Sequence, residues 1–248
     1  MHTLIRAELL KLRTVRSPWL LLGGVPLLVI AGISGLVMSN PGKLADPGTQ
    51  ANALAHVGIA ALFTLAFGIL AVAGEYRHKT ITDSYLTTPG RSQVVGAKLV
   101  AYPVLGALAG LVASGVGLGV AAAWWSAKGV PFAWGNSMMW TAIGGGIAAN
   151  AAFAAIGVGL GALIRNLVGA IAVALAWIAV VEGIVGQLVG NLARWLPFNA
   201  SQALGGGDGQ DMLATHLLPR GAGGAVLAAY AFVFAAAAIA TSVRRDVA

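Results

Sequence analysis

GEYRHKTITDSYLTTPGRSQVVGAK, residues Gly74 to Lys98, decides the fold of this chain. It gathers Glu75, Arg77, His78, Lys79, Asp83, Arg91 and Lys98, whereas long runs of Ala, Leu, Val, Ile and Gly lie on either side. So dense a polar segment cannot sit in hydrocarbon, where every charge and backbone group must be satisfied by protein. It therefore reads as an aqueous loop between two membrane helices. The chain is 58% hydrophobic and 9% charged, with a mean hydropathy of +0.84, the composition of one polytopic membrane domain over residues 1–248.

The net charge of +7 falls in short clusters beside apolar runs, which topology explains without nucleic acid. The sequence has no cysteine, which excludes disulfides, iron–sulfur clusters and thiolate zinc sites. Residues 4–16 read as an amphipathic helix in the membrane interface, with Leu4, Ile5, Leu9, Leu12 and Val15 on a broad face and Arg6, Glu8, Lys11 and Arg13 in water. The apolar run from Trp19 to Met38 exceeds the roughly 7 to 15 residues of a cleavable signal core, so it reads as a retained first span.

Five further spans follow at about Leu54–Ala73, Val94–Ala123, Met138–Ile164, Leu167–Gly190 and Gly223–Val243. Pro103 can kink the third, and Arg165-Asn166 make a tight turn between the fourth and fifth. Residues 191–220 form an outer loop in which Trp195-Leu196-Pro197-Phe198 suggests an interfacial hairpin. Six spans put both termini and residues 75–92 on one side. That side holds Arg6, Lys11, Arg13, Arg16, Arg77, Lys79, Arg91, Lys98, Arg165, Arg244 and Arg245, leaving Lys43, Lys128, Arg194 and Arg220 on the other. By the positive-inside rule the first side is cytoplasmic, with Arg91 and Lys98 at lipid phosphates. The pairs Gly106/Gly110, Gly115/Gly119, Gly157/Gly161 and Gly186/Gly190 have the spacing of close helix crossings.

Tyr76 to Leu86 has helical length and ends at Thr87-Thr88-Pro89-Gly90. Its hydroxyls (Thr80, Thr82, Ser84) and apolar contacts (Tyr76, Ile81, Tyr85, Leu86) make a docking knob for a partner, or else only a basic loop. Glu182 is the one acid well inside a span, roughly 22 Å from Leu167 in a core of roughly 30 Å. It either faces a translocation cavity and attracts cationic cargo or helps gate the outer mouth, or it caps a helix break before Gly183 or bonds Gln187 or Asn191. Asn150 reads as packing glue, and Trp140, Phe153 and Trp177 as candidates for an apolar path.

Three stretches resemble the ABC-2 type permeases, the membrane subunits of ATP-driven transporters, especially their small actinobacterial forms. They are AELLKLRTVRSPWLLL (Ala7 to Leu22), the stretch from Gly74 to Val100, and EGIVGQLVGNLARWLPFNASQAL (Glu182 to Leu204). The resemblance implies an all-α membrane fold of six transmembrane helices, with an N-terminal elbow helix (residues 1–17) and a cytoplasmic coupling helix between spans 2 and 3. Glu75, Tyr76, Arg77, Thr80, Ser84, Tyr85 and Leu86 would then carry ATPase coupling, with Glu75 and Arg77 at its root. It also implies two ABC-type ATPase subunits, a second copy of the permease, and a place in the bacterial cytoplasmic membrane. No G-x-x-x-x-G-K-[ST] occurs, the nearest text, Pro89 to Leu99, having the wrong spacing, so ATP and Mg would bind the partner and no cofactor this chain. Catalytic constellations are missing, and His2, His56, His78 and His216 are too scattered for a metal site. An exporter of a drug, antibiotic, peptide or lipid is the expected function, with a secondary transporter or channel, or a scaffold without cargo, as alternatives.

Overall fold

The computed structural model describes residues 2–14, 17–82, 86, 88, 90–185, 188–206 and 217–244. Among these it is a helical bundle without strands. The helices are α1 (His2–Thr14), α2 (Ser17–Ser39), α3 (Pro47–Ile59), α4 (Ala61–Arg77), α5 (Arg91–Ala127), α6 (Ser137–Ile164), α7 (Leu167–Ala176), α8 (Gly190–Ala193), α9 (Pro197–Leu204) and α10 (Arg220–Arg244). A π-helical stretch, Trp177–Val185, continues α7. Six stretches are long and apolar enough to cross a membrane: Trp19–Ser39, Pro47–Arg77, Arg91–Ala127, Ser137–Ile164, Leu167–Ile184 and Arg220–Thr241. The chain thus begins and ends its crossings at the same end of the bundle, the near end.

The second span starts earlier than the apolar run suggests. Asp46 accepts hydrogen bonds from the Thr49 backbone N–H (2.8 Å) and hydroxyl (3.0 Å), and Pro47 follows at the first helical position. This cap turns the polar stretch DPGTQ into the first turns of α3, and the Thr49 donors hold the Asp46 carboxyl below its usual range. The span then breaks at Ala60, between α3 and α4. At the expected turn after α6, Arg165 takes a left-handed conformation (φ 55°) and the Asn166 side chain caps the Gly169 N–H at 2.9 Å.

Helix α6 is the hub, packed against α3, α4, α5 and α10. Its glycines make this possible. A Cβ on Gly157 would strike the Leu65 carbonyl of α4, and one on Gly68 the Ala154 carbonyl of α6. Against α5, Gly106 lies on the Asn150 backbone at 2.5 Å from an added Cβ, and Gly110 on Ile147 at 2.9 Å. Backbones this close gain dispersion contacts that larger side chains would prevent. Gly115 and Gly119 instead face open space, and Gly186 lies outside the described residues.

Candidate functional site

At the near end, α1 lies against the root of α4 and the start of α5. Leu12 is buried there, with Ile5 packed on the cluster of Phe67, Val72, Val95 and Tyr102. Polar residues on the same face of α1 are drawn in with them. Glu8 is 4% exposed, Glu75 9% and Lys98 1%, so three charges leave water together. They pair with one another, Glu75 through Oε1, while its buried Oε2 has no hydrogen-bond partner among the described residues. Lys98 Nζ donates to Glu8 Oε2 (2.7 Å), Glu75 Oε1 (2.8 Å) and the Ala71 carbonyl (2.9 Å), which uses all three ammonium protons. Lys11 Nζ donates to Glu75 Oε1 (2.6 Å) and Glu8 Oε1 (3.0 Å), and the Tyr102 hydroxyl approaches Glu8 Oε2 at 3.5 Å. Burial pushes the Lys11 ammonium down, but the hydrogen bonds and charges of Glu75 and Glu8 outweigh it and its pKa stands above the usual lysine value.

Two carboxylates and two ammoniums form a net-neutral knot across three helices, and such pairing is the condition under which buried charge is tolerated. This corrects two sequence expectations. Glu8 and Lys11 are not simply wet, because hydrophobic docking of α1 carries them inward. Lys98 is not at lipid phosphates, because α5 continues inward from Arg91 and turns it onto the acids. The partners of Lys98 lie 90 and 23 residues away in sequence, and the helical pattern carries no signal of them. Arg77 and Thr80 are exposed beyond the knot, Tyr76 packs beside it with the Arg165 guanidinium 5.3 Å from its ring centre, and Leu86 is 77% exposed. Ser84 and Tyr85 lie outside the described residues.

Within the bundle, Asn150 is fully buried at the Ala60 break. Its amide donates to the Val57 (3.1 Å) and Gly146 (2.8 Å) carbonyls, and its side-chain oxygen accepts from Thr64 Oγ1 (3.4 Å). It joins helices. Trp140 sits at the far end, half exposed, donating to the Trp134 carbonyl at 3.0 Å.

Glu182 lies at the edge of a cavity and is held there by backbone donors. Its carboxylate accepts from the Phe198 N–H (2.9 and 3.0 Å) and the Asn199 N–H (3.1 Å). These are the free donors of the first turn of α9, whose first residue, Pro197, has none to offer and whose N-cap, Leu196, has no capping side chain. Glu182 therefore caps a helix of the far-end hairpin from across the chain, favoured by the helix dipole. Asn191 is not its partner, and Gln187 lies outside the described residues. Beside it, Phe153, Trp177, Tyr230 and Phe234 line a cavity of about 130 Å³ that is open on one side, completed by Leu65, Leu160, Ala174 and Pro197 among others. Its wall is almost wholly hydrocarbon. Sequence reasoning also missed Gln50, 1% exposed, which binds the Leu44 and Pro131 carbonyls and the Ala133 N–H and so ties the loops of the far end together.

A sequence model of the ABC-2 family transporter proteins matches residues 28–219, well over half of the chain. The chain belongs to that family. Comparison with curated proteins gives no match. The six apolar helices and the family together make it a membrane permease, a transporter subunit of the kind that generally works with an ABC ATPase in a lipid membrane. Among the described residues of this permease no group of His, Asp and Glu could hold a metal ion.

Proposed function

We propose that this permease is the membrane half of an ATP-driven exporter, which acts as a homodimer with two copies of a separate ATPase and moves a hydrophobic or amphiphilic compound out across the bacterial cytoplasmic membrane. Both termini and residues 75–92 lie in the cytoplasm in this reading. The observation that carries it is the charge knot, which ties α1, α4 and α5 into one unit at the place where residues 75–92 leave the membrane. A push from an ATPase on this segment would be passed to three helices at once rather than absorbed by one. The exposed Arg77, Thr80 and Leu86, with Ser84 and Tyr85, form the docking surface, while Glu75 serves as its root. Helix α1 acts as the elbow.

A proton- or ion-driven transporter would need a carboxylate near the midplane free to bind its coupling ion. Glu8 and Glu75 are matched by lysines and Glu182 by backbone donors, which supports the ATP-driven reading over that one. Phe153 and Trp177 remain on the apolar path we assign to cargo, whereas Asn150 and Trp140 hold helices and the outer rim.

The test is a detergent pull-down of the tagged chain from its host, with mass spectrometry and an ATPase assay. We expect a stoichiometric P-loop ATPase, lost in Leu86→Asp with insertion unchanged. A pure chain without an ATPase, active in vesicles carrying only an ion gradient, would overturn the proposal.

A further inference from the structure

The cavity beside Glu182 has a wall, a size and an opening that together specify a guest. Its wall is formed by hydrocarbon and ring surface, because the one carboxylate at its edge is spent on the Phe198 and Asn199 N–H groups. A cationic guest would have to take that carboxylate from the two N–H groups and shed its own hydration, and an anionic guest would meet no cation in this lining. Its volume of about 130 Å³ is close to that of the apolar cavity of about 150 Å³ that stays dry and binds benzene in another protein. Its mouth lies within the spans, beside Val173 (50% exposed) and Trp177 (41% exposed), so a guest enters from lipid. Flat aromatic walls favour a ring, which gains offset or edge contacts with Phe153, Trp177, Tyr230 and Phe234. A phospholipid chain would fit only by its last carbons, and ordering the rest of the chain opposes this.

We infer that this cavity is a lateral binding site for a small, uncharged, single-ring aromatic molecule dissolved in the bilayer. The site goes beyond the exporter reading and does not depend on it, since binding requires neither ATPase nor transport. Ligand bound there bridges α4, α6, α7 and α10, and so stabilises the arrangement of these helices in which the hairpin is latched.

Photolabelling of the full-length chain in phospholipid nanodiscs tests this. The probes are a neutral phenyl diazirine, its trimethylammonium analogue, and a phospholipid with a diazirine at the chain end; labelled residues are mapped by mass spectrometry. Phe153 is 2% exposed, so a bilayer reagent reaches it only through the cavity, while Phe232, 74% exposed on α10, reports the general lipid face. The neutral phenyl probe should label Phe153 and Phe234, in competition with toluene, and the charged probe and the phospholipid should not. Ala174→Leu, which fills the void from its own wall, should lower labelling of Phe153 roughly tenfold and leave Phe232 unchanged. Leu160→Ala, which enlarges it, should maintain or raise the signal. Phe153 labelling that is absent in the unsubstituted chain, indifferent to Ala174→Leu, lost in Leu160→Ala, or as strong with the charged or phospholipid probe overturns the assignment. So does protection of Val173 together with Phe153, which would mean that another chain covers this face.

Discussion

Lys98 shows how one residue can be misread when its partners are remote. A lysine two turns inside a helix that starts at Arg91 has the sequence signature of a side chain reaching back toward phosphates. What decides otherwise is α1, whose apolar face docks and brings Glu8 to within 2.7 Å of the ammonium. Removing the ammonium leaves Glu8 and Glu75 with Lys11 as their one ammonium partner among the described residues. We expect Lys98→Met to cost about 3–5 kcal/mol, the usual penalty for orphaning a buried charge. Thermal unfolding in detergent checks this, and adding Glu75→Gln to Lys98→Met should recover part of the loss, because one carboxylate then balances one lysine. A double variant no better than the single would show that the charges do not act as a unit.

Helix packing was legible as spacing but not as direction. The four glycine pairs are equivalent in sequence; the structure separates those that face α6 or lie on it from Gly115 and Gly119, which face nothing. Gly157→Ala should therefore destabilise the bundle by about 1–3 kcal/mol, as overpacking against carbonyls does, whereas Gly115→Ala should be silent or slightly stabilising through better helix propensity. Unfolding temperatures of the two variants decide it, and equal values would contradict the crossing. The far-end hairpin is the other element whose logic was hidden. Glu182 was visible as an intramembrane acid, but its partners are backbone N–H groups, which any sequence supplies. With Glu182→Gln the charge that faces the dipole of α9 is lost. Amide exchange at Phe198 and Asn199 should quicken by about tenfold, the equivalent of about 1.4 kcal/mol, while the near-end helices keep their protection. Unchanged exchange at those two amides would remove the latch.

At the scale of the molecule, six spans and their parity were readable because lipid imposes length and apolarity on every crossing, whatever the packing. Local backbone geometry set what the hydropathy pattern missed: the Asp46 cap lengthened the second span, a turn at Ala60 interrupts it, and a π-helical stretch after Ala176 carries Glu182. The positive-inside rule predicts that the near end faces the cytoplasm, and the absence of cysteine from the sequence allows a direct check, since any thiol introduced is the only one present. His78 is exposed at the near end and Lys128 at the far end. A membrane-impermeant maleimide added to intact cells should label Lys128→Cys and leave His78→Cys untouched until the membrane is opened. The reverse pattern would place residues 75–92 outside the cell, where no cytoplasmic ATPase could reach them, and would defeat the exporter mechanism even with the fold intact. Labelling of both from outside would break the parity of the six spans, because an odd number of crossings separates the two positions: α5 alone, from Arg91 to Ala127, lies between them.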